Sequence, residues 1–330
     1  KVESLLLGSQ NDMATIRLIK KLVNQISRDV LVYYVLLAGV TFTFAIVRSV
    51  MMLSRAGGGE TGTVVAELGK SVRAHAGILS IAGTAAGLLF LFFRYRKRGS
   101  LKRMWQERKE MKLPAFLRIF CVFMSCQVIF MAAAALAEAA LNPLGYTLAE
   151  AAQNATAISG TLPLFLYTAL VGPVAEEVVF RGFIMDRLLP YGKGFAIVLS
   201  AVLFGVMHGN FLQGLFAFGA GLVFGYVAVE YSLKWSVVIH VINNMVFSDL
   251  LGRVTKQLPE TARSAVEYGI ALAFFAAACV ILFRKRNEIR GWWQENRPEK
   301  RYWVYAFTAV WMILFIIMEI CVAMDGVGRI

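Results

Sequence analysis

Long apolar blocks alternate with short charged stretches along the chain. Nine of them read as membrane-spanning helices: residues 30–53, 77–93, 116–141, 161–180, 195–208, 211–229, 235–251, 266–283 and 302–324. A hydrocarbon core of about 30 Å asks for roughly 20 mostly apolar helical residues. The predicted fold class is therefore all-α, a polytopic membrane helical bundle of about nine transmembrane helices. Ahead of the first block, Ile16, Ile19, Leu22, Val23 and Ile26 recur at helical spacing, with Arg17, Lys20, Lys21 and Arg28 off that face. Such a pattern predicts a basic amphipathic helix lying on the cytoplasmic leaflet, assigned to residues 1–29. The fourth helix is expected to continue through residues 182–189, carrying Arg181, Asp186 and Arg187 to the headgroup region. Pro190 and Gly192 then end it.

Charge orients these elements. The stretch RYRKRGSLKRMWQERKEMK after the second block holds nine Lys/Arg, and RKRNEIRGWWQENRPEKR after the eighth is also basic. Trp292 and Trp293 in the latter are expected interface anchors. Loops rich in Lys and Arg stay in the cytoplasm. With nine spans and the N-terminus inside, both basic loops and the hairpin at 181–193 fall on that side. Loop 142–160, with Glu150 as its one charge, falls outside. Loop 54–76 is Gly-rich and nearly charge-balanced, and its His75 reads as solvated, as does Glu138 late in the third span. The expected division is an interfacial helix at 1–29, a scaffold at 30–160, a polar-bearing core at 161–252 and a second scaffold at 253–330. No internal repeat is visible, and the first residues, from Lys1, show no signal-peptide pattern.

Composition supports this reading. The 330 residues are 58% hydrophobic, against roughly 45–50% for a soluble domain. A net charge of +13 could suggest nucleic acid, but the cations cluster beside the apolar blocks, so nucleic acid is not an expected partner. Expected partners are the lipid bilayer and a membrane-anchored peptide or protein substrate, with the bacterial cytoplasmic membrane as the location. Cys121, Cys126, Cys279 and Cys321 all lie in apolar runs and form no CxxC, so they read as buried thiols.

The chemistry concentrates at residues 171–182, VGPVAEEVVFRG. Ionisable groups within a membrane segment are expensive and face the protein interior or a water-filled cavity. Glu177 and Arg181 share a helix face and can pair. Glu176 is rotated by about 100° and has no partner at that spacing. One reading leaves Glu176 free for chemistry; the other is a structural ion-pair network locking two helices. In the fifth block, FGVMHG places His208 four residues after Phe204, with Gly205 and Gly209 at a spacing that lets another helix come close. Glu176 precedes the 190–194 turn by fourteen residues and His208 follows it by fourteen. In an antiparallel helical hairpin the two meet at similar depth. In the seventh block, HVINN puts His240 and Asn244 on one face, with Asn243 one position round. In the sixth, Phe218, Gly221 and Gly225 form a smooth face for close packing.

Carboxylate, imidazoles and amide together suit hydrolysis of an amide bond. A carboxylate and an imidazole can activate water; an imidazole and an amide NH2 can hold an oxyanion. The chain has no HExxH, no serine in GxSG and no aspartate in GxGD. A proton-coupled transporter would also bury such groups, but it would usually show related halves, and none are seen.

EEVVFRG resembles the EExxxR motif of the CPBP family, the CAAX proteases and bacteriocin-processing enzymes also called the ABI family. FGVMH is similar to its FxxxH motif and HVINN to its HxxxN motif, all in the family's order within residues 162–251. The resemblance implies an intramembrane endopeptidase in which Glu176 and His208 activate water, His240 and Asn244 hold the oxyanion, and Glu177 and Arg181 support them. It also leaves a runner-up, a non-proteolytic membrane regulator or bacteriocin-immunity protein keeping the fold. No cofactor is expected. The zinc alternative would use Glu176, His208 and His240 as ligands; it is disfavoured because amides such as Asn244 are poor zinc ligands and no separate general base is evident.

Overall fold

The computed structural model describes residues 2–56, 61–155 and 160–330. Parts of two predicted loops, residues 57–60 and 156–159, lie outside the described residues, as do Lys1 and the side chains of residues 2–14 of the predicted interfacial helix. The described chain is almost wholly helical. The main helices are α1 (Val2–Ala56), α2 (Thr61–Tyr95), α3 (Leu113–Leu144), α4 (Leu162–Tyr191), α5 (Lys193–Val206), α6 (Phe211–Glu230), α7 (Leu233–Thr255), α8 (Glu260–Asn296), α9 (Lys300–Phe307) and α10 (Val310–Met324). Tyr146–Thr147 pairs antiparallel with Gly328–Arg329 in a two-residue ladder.

Seven of these helices are long and apolar enough to cross a membrane, and α9 with α10 would make an eighth if that pair, bent by 66°, is one span. This is an integral membrane protein. All nine predicted apolar blocks are helical, but two are not straight spans. Helix α5 has 14 residues, about 21 Å at 1.5 Å per residue, short of a hydrocarbon core. The ninth block breaks between Phe307 and Val310. The loop predicted at 54–76 is shorter than expected, because α2 starts at Thr61. His75 therefore sits exposed on a helix, with Nδ1 2.8 Å from the Ser71 carbonyl.

The predicted interfacial helix is not a separate element. Residues 2–56 form one continuous helix, and Ile19, Val23, Ile26 and Val30 are buried in the main core. The amphipathic stripe is real; its apolar side is covered by protein, including α10, where Ser27 meets Met312.

Arg181, Asp186 and Arg187 are each engaged within the protein. Arg181 is fully buried and Arg187 nearly so. Arg187 donates to Tyr95 Oη and to Gln25 Oε1, and Asp186 pairs with Arg103. Glu138 is tied as well, accepting hydrogen bonds from Thr147 Oγ1 and the Leu148 amide.

The small residues do what their spacing suggests. A Cβ on Gly205 of α5 would lie 2.7 Å from the Gly214 carbonyl oxygen of α6, so these backbones touch. Gly209 serves differently. It lies in the turn beyond α5 with φ of +54°, a conformation that favours glycine.

Candidate active site

Helix α4 carries the two adjacent carboxylates through a segment that is not uniformly α-helical. Gly172–Glu177 is α-helical, flanked by π-helical turns at Tyr167–Val171 and Val178–Ile184. Such turns are rare and occur often at functional sites. The two glutamates, about 100° apart on the intervening α-helical segment, face different surroundings.

Glu177 faces the buried interior. Its Oε1 is 3.1 Å from Arg181 Nη1, and both side chains are fully buried. The same oxygen lies 3.1 Å from His240 Nδ1. Arg181 also donates to the Gly221 carbonyl at 3.3 Å, and a Cβ on Gly221 would sit 3.1 Å from Arg181 Nη2. The smooth face of α6 thus makes room for a guanidinium as well as for a helix.

Arg181 rests on aromatic rings, 4.4 Å from the Phe204 centroid and 5.3 Å from that of Phe224. Cation–π contacts of this kind contribute roughly 0.5–2 kcal/mol each. Phe204 also presents an edge-to-face contact to His208 at 4.9 Å, and Phe224 stacks on His240 at 4.7 Å. The phenylalanine four residues before His208 is therefore the ring that packs between the arginine and the imidazole.

Glu176 faces the other way. With His208, Tyr33, Tyr34, Thr84 and Tyr167 it lines a cavity of about 150 Å³. The helical hairpin brings Glu176 and His208 to one wall, as the equal distances from the turn predict. His208 Nδ1 lies 2.7 Å from the Phe204 carbonyl. A carbonyl only accepts, so Nδ1 carries the proton and Nε2 of the neutral ring keeps its lone pair.

Glu176 is not without a neighbour: its Oε2 is 3.7 Å from His240 Nε2. His240 thus lies between the two carboxylates, its Nδ1 toward Glu177 and its Nε2 toward Glu176. Asn244 is placed less centrally. It starts out on the face of His240, but α7 turns π-helical over Asn243–Leu250. Its Nδ2 donates to the Thr168 carbonyl at 2.9 Å and its Oδ1 accepts from Asn243, and it is not among the residues lining the cavity. One N–H of its amide is not used by these two bonds.

Sequence reasoning missed much of the wall. Tyr33 and Tyr34 come from α1 and Thr84 from α2, helices read as scaffold. A polar aromatic pair inside an apolar block was the available signal. Glu319 of α10 was also missed. It is buried, neither carboxylate oxygen has a hydrogen-bond partner among the described residues, and Oε2 would lie 3.2 Å from a Cβ on Gly209, the residue after His208.

For the zinc alternative, the two imidazoles do have oriented Nδ1 atoms, as metal-bound histidines usually do. Among the described residues, however, no three His, Cys, Asp or Glu side chains are grouped to hold a metal ion.

Fold and site together define an integral membrane protein that converges carboxylates, imidazoles and a guanidinium from α4, α5 and α7 inside its helical bundle. The family described as Type II CAAX prenyl endopeptidase Rce1-like matches residues 158–246, 89 of the 330 residues, so that segment is similar to the CPBP family. No curated protein and no solved structure matches the chain.

Proposed function

We propose that the protein is a CAAX-protease-like intramembrane endopeptidase that hydrolyses a peptide bond of a membrane-associated substrate. The observation that carries this reading is the common cavity wall of Glu176 and His208, inside the segment matched by the protease family. Glu176 acts as general base: it takes a proton from water as the oxygen attacks the scissile carbonyl, then returns a proton to the leaving amine. His208, with its Nδ1 held by the Phe204 carbonyl, assists at the same water. The unused N–H of Asn244, and His240 through Nε2 when both ring nitrogens carry protons, stabilise the oxyanion. Glu177 and Arg181 hold His240 in place. The tyrosines of α1 and α4 and Thr84 of α2 border the space a substrate segment enters.

The test is cleavage of a membrane-peptide library by the purified full chain in detergent or nanodiscs, with Glu176→Gln as control. Defined products from the native protein that disappear in the variant support the reading. Absence of cleavage across the library, with the protein folded, favours a membrane regulator that keeps the fold.

A further inference from the structure

A second polar cavity lies away from the candidate active site. It is a crevice of about 500 Å³ lined by Lys21, Asn24, Gln25 and Arg28 of α1 and by Val310 and Trp311 at the start of α10. At about 100° per residue, the four α1 side chains form a stripe on the face opposite Ile19, Val23, Ile26 and Val30. One face of this helix segment is core and the other lines the crevice.

The hydrogen bonds fix what the crevice offers. Asn24 Oδ1 accepts from the Trp311 amide at 2.9 Å, and Gln25 Oε1 accepts from Arg187 Nη2 at 2.8 Å. A backbone amide and a guanidinium only donate, so the orientation of both carboxamides is determined. Their acceptor ends are used and their NH2 ends remain. Lys21 adds an exposed ammonium. Arg28 binds Asp29 through Nε and Nη2, which leaves the rest of its guanidinium. The side-chain polar groups lining the crevice therefore present donors, two of them charged.

The surrounding charge has the same sign. Asp29 pairs with Arg28 and Arg94 and accepts from Tyr95 Oη, which in turn accepts from Arg187. Counting Lys21, four cations stand around one carboxylate. Helix α10 begins at the crevice wall with no side-chain N-cap at Ala309, and a helix N-terminus adds positive potential.

The complement is an anion with several acceptor oxygens, such as a phosphate. A further feature points to its source. Val310, Ile313, Leu314 and Ile317 are all exposed and recur at helical spacing, so an apolar track runs down α10 from the crevice. Trp311 at the rim suits a membrane–water interface. We propose that the crevice binds the phosphate headgroup of an anionic phospholipid, with an acyl chain lying along that track.

The purified full chain in a zwitterionic detergent is titrated with phosphatidylglycerol, with phosphatidylcholine or with inorganic phosphate, and thermal stability is followed. The double variant Asn24→Asp/Gln25→Glu keeps both acceptor oxygens for Trp311 and Arg187 and turns each outward donor into a carboxylate oxygen. Lys21→Gln changes an exposed side chain only, and so reports on the crevice if the double variant does not fold. Phosphatidylglycerol is expected to raise the melting temperature saturably, with apparent affinity at least about tenfold weaker in either variant. An equal rise with phosphatidylcholine overturns the headgroup assignment. A full effect of inorganic phosphate overturns the lipid in favour of a soluble anion. Unchanged affinity in the variants overturns the crevice as the site.

Discussion

Glu176 and Glu177 are neighbours in sequence yet belong to two regions with opposite physics. Around Glu177 the protein is dry and its charges are paired: carboxylate, guanidinium and imidazole sit within 3.1 Å contacts and under aromatic rings. Around Glu176 there is open space, bordered by an imidazole and hydroxyl groups. One step along α4 thus separates a buried, paired carboxylate from one that borders a cavity. The contrast shows why an adjacent carboxylate pair is useful in a membrane helix. On the proposed reading, the first is free to meet a substrate while the second holds Arg181 and the His240 ring.

The largest effect is expected from breaking the dry side. Arg181→Met removes the cation and leaves Glu177 buried without its main partner, and losing one member of a buried pair costs about 3–5 kcal/mol. We expect a large fall in melting temperature, or failure to accumulate in the membrane. Glu177→Gln should destabilise in the same direction. A melting temperature equal to that of the native protein in both variants would show that the cluster contributes no stability.

Breaking the cavity side should do the reverse. Glu176→Gln preserves shape and removes the base, so turnover should fall by about 10²–10⁴-fold, the usual range for general-base catalysis. The melting temperature should change little. Retained turnover would reassign Glu176. Together the two substitutions separate stability from activity at consecutive positions.

Asn244→Ala sharpens the boundary between the regions. If its unused N–H meets the oxyanion, turnover should fall by roughly 10²–10³-fold while the Michaelis constant moves much less. Its bond to the Thr168 carbonyl offers another role, positioning α7 against α4. A change in the Michaelis constant alone, or in melting temperature alone, would assign it there.

The sequence made the polar residues of α4, α5 and α7 legible because charge and amide groups in apolar helices are conspicuous. The hairpin arithmetic around Pro190 was enough to place Glu176 and His208 together. Other features are not encoded at that level. An amphipathic stripe does not say whether lipid or protein covers it, so Ile19, Val23 and Ile26 read as an interfacial face when they are core. Hydropathy does not report direction, so the break between α9 and α10 and the shortness of α5 were invisible. Tyr33, Tyr34 and Thr84 look like ordinary residues of apolar helices until the fold sets them opposite Glu176. The contact of His240 with both glutamates joins α7 to α4 across 63 residues, which no spacing rule within one helix anticipates.

The smallest effect expected is none at all, on removal of metal. The zinc alternative would draw its ligands, Glu176, His208 and His240, from both regions. His240 Nε2 and Glu176 Oε2 are 3.7 Å apart, a separation two ligands of one ion could have. A catalytic zinc, however, takes three protein ligands and keeps an open position. Among the described residues, no three such side chains are grouped to hold an ion. The division of labour also conflicts with ligation. If Glu176 bound the ion, the cavity would lose its base, because Glu177 is committed to Arg181 and His240. Peptide cleavage should therefore persist after exhaustive dialysis against a chelator, with metal content measured before and after. Near-stoichiometric zinc in the active protein, with activity that vanishes on its removal and returns on its addition, would refute the metal-free reading. It would also require His208 and His240 to close on Glu176 in the active state, merging the two regions.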